Sequence, residues 1–571
     1  MTYNLKSVDL PVLTGRPLTI FAAALDNRLT RGLLMPKLLG DAGVFELRAH
    51  HIEEAPVGSP LYPVPPAAQA AAQSGDGRPD YRKLAHDAGQ RMIPAGIKFT
   101  TIRDYADAYR TKIITPTTVA ERLWAAIEAS DEGERPLRTF IARDKADLMA
   151  QAKASTERYQ QGNPISIFDG VPIAIKDELD QTPYPTTVGT KFLGTAPATE
   201  DATAVARLRA TGALLIGKAN MHEIGIYPNS HNVHHGTVRN PYNRDYDAGG
   251  SSSGPAAAVT IGFCPVALGA DGGGSIRVPA ALCGVVGLKP TYGRVSEHGA
   301  APLDWSIAHI GPIGASVEDV ALTYAVIAGV DDKDPNTRHQ PPAAISEWLF
   351  PWMDDETVGT VRIGIYREWF NHAAPEIVAA NEAMVQKLAD YGAEIKEIDI
   401  PELNEMRIAH AVAILSEMAA SMEQHADHWH DFAAPTRINL AFGQSLSSYD
   451  YVQSQRMRAR AMAIFARIFE DVDVIVTPAT AVTAPIIPPA SSSAGLSDLK
   501  TATELMRYMI PGNLAGLPAI TFPVGYADDG LPISMQVIGR PWQEDTLLRV
   551  AHAVENMMER KLPLGYFDIM G

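Results

Sequence analysis

The sequence predicts an α/β protein: a mostly parallel or mixed sheet, helices on both sheet faces, and a helical arm at the N-terminus. Three observations carry this. Apolar strand-like runs alternate with helix-like runs from about residue 100 onward, and such alternation builds sheets covered on both sides. The composition, 46% hydrophobic and 20% charged, is that of an ordinary globular chain. A length of 571 residues is ample for a large buried core.

The arm comes first. In "PLTIFAAALDNRLTRGLLMPKLL" the residues Leu18, Phe21, Ala22, Leu25 and Leu29 share one face at helical spacing. Pro36 is expected to end or bend that helix. The stretch 53–80 is Pro- and Ala-rich and reads as an irregular connector. Residues 1–97 are therefore assigned to arm and connector, and 98–571 to one large domain. Within that domain helices are expected at 115–130, at 145–162 with Gly162 as the stop, at 201–212, at 376–392 and at 546–559. Strands are expected at 171–177, 213–220, 264–271, 394–400 and 471–480. No internal repeat is visible.

Charge and cysteine content exclude several classes of function. A formal charge of -17 argues against nucleic acid, which needs a basic surface, and against electrostatic docking on anionic lipid. The N-terminus has no basic stretch followed by an apolar one, so no secretory signal is expected. No apolar run approaches the roughly 18 residues of a membrane-spanning helix. Cys264 and Cys283 lie in small, apolar surroundings and are expected to be reduced core residues. A reducing, cytoplasmic setting is the expectation.

Three stretches carry chemistry when taken together. "VPIAIK" delivers Lys176 from an apolar strand beside the small neighbours Pro172 and Ala174. A buried ammonium is costly, so such a lysine is neutral or partnered; read alone, it is a strand-end lysine that reaches solvent. "DAGGSSSG" places Ser251, Ser252 and Ser253 where a helix begins, and alone could be an N-cap. "GADGGGSIR" leads out of an apolar strand into Gly272, Gly273, Gly274 and Ser275. Successive glycine N–H groups can turn into one concavity and hold an oxyanion, although a plain glycine turn is the bland reading. Serine needs a base to become a nucleophile. No histidine lies in these stretches, and a neutral lysine is the known substitute. A serine hydroxyl can relay between them, since it both donates and accepts.

The order "AIKD", "GGSSSG", "GADGGGSIRVPAALCGVVGLKPTYGRVS" resembles the amidase signature family of serine hydrolases. The resemblance runs from about residue 100 to the C-terminus, and spacing, order and flanking residues agree. It implies the amidase signature fold, a large mixed twisted sheet covered by helices. It also implies Ser275 as nucleophile, Ser251 as a bridging serine in a cis peptide link, Lys176 as base, and the backbone N–H groups of Gly272, Gly273, Gly274 and Ser275 as the oxyanion hole. No metal or cofactor is implied. "TIRDYADAYRTK", "GNPISIFDGVPIAIKD", "RNPYNRDYDAGGSSSG" and "DVDVIVTPATAVTAPIIPP", with the arm, are similar to the plant-type fatty acid amide hydrolases. That branch implies amide substrates with an apolar acyl chain, such as N-acylethanolamines, and a homodimer whose N-terminal helices border the acyl entrance, with peripheral membrane contact left open. Pro255 departs from much of the wider family. "SEHGAAPLDWSIAHIGP" departs from the plant branch, in a region able to line the substrate site. The rival members are a general aryl or short-chain amidase and an amidotransferase-type subunit.

Other motifs are weaker. "GSSSG" fits the nucleophile elbow with Ser252 central, but a polar, turn-like run precedes it. "GALLIGKA" nearly fits a P-loop, yet Ala219 stands where Ser or Thr is needed. His231, His234 and His235 have no Cys or carboxylate at ligand spacing in the sequence. Asp271 and Arg277 are expected to fix the glycine loop as structural ions.

Overall fold

The computed structural model describes residues 3–7, 11–64, 97–341 and 361–571. In chain order the strands are β1 (Leu13–Thr14), β2 (Phe140–Arg143), β3 (Pro172–Lys176), β4 (Leu214–Ala219), β5 (Val266–Ala270), β6 (Val286–Lys289), β7 (Ile310–Gly314), β8 (Arg362–Ile365), β9 (Glu394–Glu397), β10 (Val474–Pro478), β11 (Leu496–Ser497), β12 (Ala519–Tyr526) and β13 (Pro532–Gly539). Among the described residues eleven of them form one sheet in the order β2-β4-β3-β5-β7-β6-β12-β13-β10-β8-β9. Two parallel trios, β4-β3-β5 and β10-β8-β9, flank a middle that pairs antiparallel from β5 through β7, β6, β12 and β13 to β10. The sheet is thus mixed rather than mostly parallel.

The trio β4-β3-β5 positions the chemistry. Ile173 faces Val266 and Ile175 faces Leu268 in register. All four are fully buried, as strands covered on both faces require. Helix α3 (Ser253–Thr260) packs on β3, β5 and β7, and the helices Pro375–Asp390 and Glu544–Asn556 pack on β12 and β13. Helix α4 (Arg277–Leu282) follows the glycine loop, and the long helix α5 (Leu403–Met422) lies over it.

The arm folds onto the body. Helix α1 (Gly15–Asp26) buries Leu18, Ala22 and Leu25. Leu18 and Ala22 meet Ala434 of helix α6 (Ala434–Gly443), and Leu25 joins a core cluster with Tyr366, Trp369 and Val412. The short β1 pairs antiparallel with β11, Leu13 opposite Ser497. The arm departs from expectation at Asn27. The helix breaks at Asn27, whose side chain accepts from Leu29 N at 2.9 Å and Thr30 N at 3.4 Å, so that α2 (Arg28–Asp41) starts a new direction. Leu29, expected on the buried face, is 82% exposed as a result. Pro36 does not end a helix; it sits inside α2. The connector beyond residue 64 lies outside the described residues.

Elsewhere the expected elements appear close to their expected limits. Helices span Pro116–Ser130 and Lys145–Gln160, with Gly162 at φ 74° just beyond the second. Cys264 and Cys283 are buried free thiols, and burial pushes the Cys264 thiol up to about 12. Among the described residues no helix is long and apolar enough to cross a membrane.

Candidate active site

Lys176 ends β3, and the chain leaves the neighbouring parallel strand β5 into Asp271 and the glycines. The carboxyl ends of adjacent parallel strands are where open α/β sheets hold ligands. Lys176 Nζ lies 2.8 Å from Ser251 Oγ and 3.2 Å from the carbonyl of Ala270. A third neighbour, Glu178 Oε2, stands 2.7 Å away. Asp177, next in sequence, points elsewhere: its carboxylate takes hydrogen bonds from Thr187 and Gly189.

Ser251 follows a cis peptide bond from Gly250. The Ser251 carbonyl accepts from His222 N at 3.2 Å, and Gly250 N donates to Pro228 O at 3.0 Å. The next residue, Ser252, donates its N–H to the Ser275 carbonyl at 3.2 Å, which docks the glycine loop against the serine triplet. Ser252 itself is fully buried, with Oγ donating to Ala270 O at 3.2 Å, so it is no exposed elbow nucleophile. Ser275 keeps 9% exposure, whereas Lys176 and Ser251 keep 1% each. The structure therefore gathers Lys176, Ser251 and Ser275 from three separate stretches, with Ser275 the most accessible.

The loop is held by one buried ion pair. Asp271 takes a two-pronged contact from Arg277, Nε to Oδ2 and Nη2 to Oδ1, each at 3.0 Å. The Arg277 guanidinium beside it outweighs burial and holds the Asp271 carboxyl far below the usual carboxylate range. Arg277 also donates to Met509 O, Gln536 Oε1 and Asn513 Oδ1. The Asp271 carboxylate in turn accepts from Gly274 N at 2.7 Å and Ile276 N at 3.1 Å. Of the four N–H groups expected to form the oxyanion hole, that of Gly274 is directed at Asp271. Among the described residues nothing accepts from the N–H groups of Gly272, Gly273 or Ser275. Side chains would not fit here. A Cβ on Gly272 would strike Asp304 Oδ2, and one on Gly273 would come within 2.7 Å of Met506 Cε.

An apolar wall adjoins the serines. Met221, Ile224, Leu303, Met418 and Met422 form one buried cluster, with Ile414 and Trp429 packed against it. A Cβ on Gly225 would meet Ser251 Oγ at 3.3 Å and Leu303 Cδ1 at 3.7 Å, which places the cluster at the site. Trp429 connects it to the arm: its Nε1 donates to Asp26 Oδ1 at 2.8 Å, and the Arg31 guanidinium lies over its ring. Leu303 and Asp304 belong to the stretch "SEHGAAPLDWSIAHIGP", so that stretch does reach the site. Burial, then the charges of Glu178 and Glu417, push the Asp304 carboxyl well above the usual range.

The three loop histidines have structural partners outside their own stretch. His231 lies 3.2 Å from Asp247, His234 lies 2.6 Å from Glu223, and His235 contacts the Thr190 carbonyl at 2.8 Å. Glu223 also accepts from Ala433 N at 3.0 Å.

The sequence profile of the family described as "Amidase" matches residues 121–548. The chain belongs to the amidase family. It is an amide-hydrolysing enzyme. The amidase is 42% identical to the fatty acid amide hydrolase of Oryza sativa subsp. japonica, over all of this chain and 96% of that protein. It is 38% identical to the fatty acid amide hydrolase of Arabidopsis thaliana, again over all of this chain and 96% of that protein. Among solved structures it is similar to the peptide amidase of Stenotrophomonas maltophilia, at 27% identity and a TM-score of 0.69, covering 81% of the amidase and 98% of that chain.

Proposed function

We propose that this amidase hydrolyses amides of long-chain fatty acids, N-acylethanolamines among them, through an acyl-enzyme on Ser275. Lys176, as the amine, takes a proton from Ser251 while Ser251 takes one from Ser275. The Ser275 oxygen bonds to the amide carbon, and the N–H groups of Gly272, Gly273 and Ser275 receive the oxyanion. The proton returns through Ser251 to the amide nitrogen, the C–N bond breaks, and the amine leaves. Water repeats the path, releasing the acid and free Ser275. The observation that carries the catalytic part is the 2.8 Å contact of Lys176 with Ser251, beside three N–H groups without an acceptor among the described residues.

The apolar cluster that runs from Ser251 to Trp429 and the arm supports an apolar acyl group. Its methionines suit chains of variable shape. The enzyme is further proposed to work in a reducing, cytoplasmic setting as a homodimer, with the exposed Leu29 and Leu33 of α2 as the face that a second copy covers.

Amides of graded acyl length test the substrate. Each buried methylene adds up to about 0.8 kcal/mol, so kcat/KM should climb roughly threefold to fourfold per methylene until the cleft is full. A flat profile would leave a general amidase, and ammonia transfer from glutamine would leave an amidotransferase component. Ser275→Ala should lose both turnover and labelling by a fluorophosphonate probe; labelling at Ser252 instead would sink the assignment of the nucleophile.

A further inference from the structure

The N–H groups left for the oxyanion can act only if their peptide planes are aimed. In a trans peptide the carbonyl of one residue and the N–H of the next are rigidly coupled and point in opposite directions. Gripping a carbonyl from behind therefore sets the direction of the following N–H. The Asp271 carbonyl, behind the Gly272 N–H, accepts from Asn513 Nδ2 at 3.0 Å. The Gly274 carbonyl, behind the Ser275 N–H, accepts from Val278 N at 2.6 Å. The Gly272 carbonyl, behind the Gly273 N–H, is 2.7 Å from His410 Nε2.

We propose that His410 of α5 is a positioning residue for the oxyanion hole: by holding the Gly272 carbonyl it turns the Gly273 N–H toward the reacting amide. The inference rests on the reading of Ser275 as nucleophile. A carbonyl oxygen only accepts, so the ring proton sits on Nε2 and Nδ1 is bare. Burial, the largest influence on this ring, lowers its pKa to about 4, which keeps it neutral at ordinary pH. Glycine is free to rotate about both backbone bonds, and among the described residues the Gly272 carbonyl has this one side-chain partner. Gly273 has no side chain to brace it either; its Cα faces the His410 ring and Met506. His410 is itself buried on a 20-residue helix, a rigid mount for a contact of this kind.

His410→Phe keeps the ring and removes the donor. Losing one aligned oxyanion donor costs about 10²–10³ in kcat, so kcat should fall about a hundredfold with KM within about threefold. A trifluoromethyl ketone inhibitor, whose adduct carries the oxyanion, should weaken by the same factor. His410→Gln, which can offer an amide N–H to the same carbonyl, should recover most of the loss. If the Phe variant does not accumulate, His410→Met makes the same comparison. The proposal is overturned by a donor-free variant within about threefold of the parent kcat, by a loss that falls on KM with the ketone bound as before, or by a Gln variant no better than Phe. The parent reading fails separately, through an active Ser275→Ala enzyme.

Discussion

His222 shows what burial does to a single ionisable group at this site. Its backbone N–H holds the Ser251 carbonyl, its ring stacks on Tyr227, and burial lowers its pKa to about 4. The unfolded chain protonates the same ring near 6.5, so between those values the unfolded state binds the extra proton. The stabilisation is fully present above about 6.5 and is lost as pH falls toward 4. From pH 7 to pH 5 the loss through this one residue is about 2 kcal/mol. Denaturant titrations of the parent and of His222→Gln should therefore diverge in slope against pH by about that amount; parallel curves would mean that the ring titrates alike in both states. The residues proposed to do the chemistry are legible because each breaks a local rule: a lysine in an apolar strand, three glycines in a row, three serines at a helix start. His410 and Asn513 are not. They contact the loop from 138 and 242 positions away, and a lone histidine or asparagine in a helix looks like any other. Glu178 follows the alternation of the strand: Asp177 turns to the opposite face, and Glu178, two positions beyond Lys176, is the carboxylate that reaches the amine.

At the scale of elements, the arm tests how far periodicity can be trusted. Spacing identified Leu18, Ala22 and Leu25 as a buried face, and missed the break at Asn27 because an N-cap inside a continuous apolar pattern does not interrupt the pattern. Pro36, expected to end or bend the helix, does not end it; α2 tolerates it because Gly32, whose carbonyl it frees, is exposed to water. Leu18 is fully buried against Ala434 of α6, next to Leu13 and Ile438. Leu18→Ala should then destabilise by about 2–5 kcal/mol if the arm unfolds together with the body. A thermal-shift curve with an unchanged main transition and an earlier, separate one would show instead that arm and body melt independently.

For the whole molecule, the sequence led to the two parallel trios better than to the antiparallel middle. Strands β3, β4 and β10 are apolar runs next to helices. Strands β6, β7 and β12 read "VGLK", "IGPIG" and "AITFPVGY", and their glycines and prolines look like turns when taken in isolation. Only pairing with distant partners makes them strands: Ala519 opposite Lys289, and Val266 opposite Gly314. That long-range stitching also governs when the enzyme can exist. Lys176, Ser251 and Ser275 all lie in the first half of the chain, but every group that fixes the glycine loop through Arg277, apart from Asp271, comes from Met509, Asn513 and Gln536. During synthesis a chain that already contains all three proposed reactive side chains still lacks these partners of Arg277. A growing chain is therefore expected to lack a braced glycine loop until β13, which carries Gln536, has emerged.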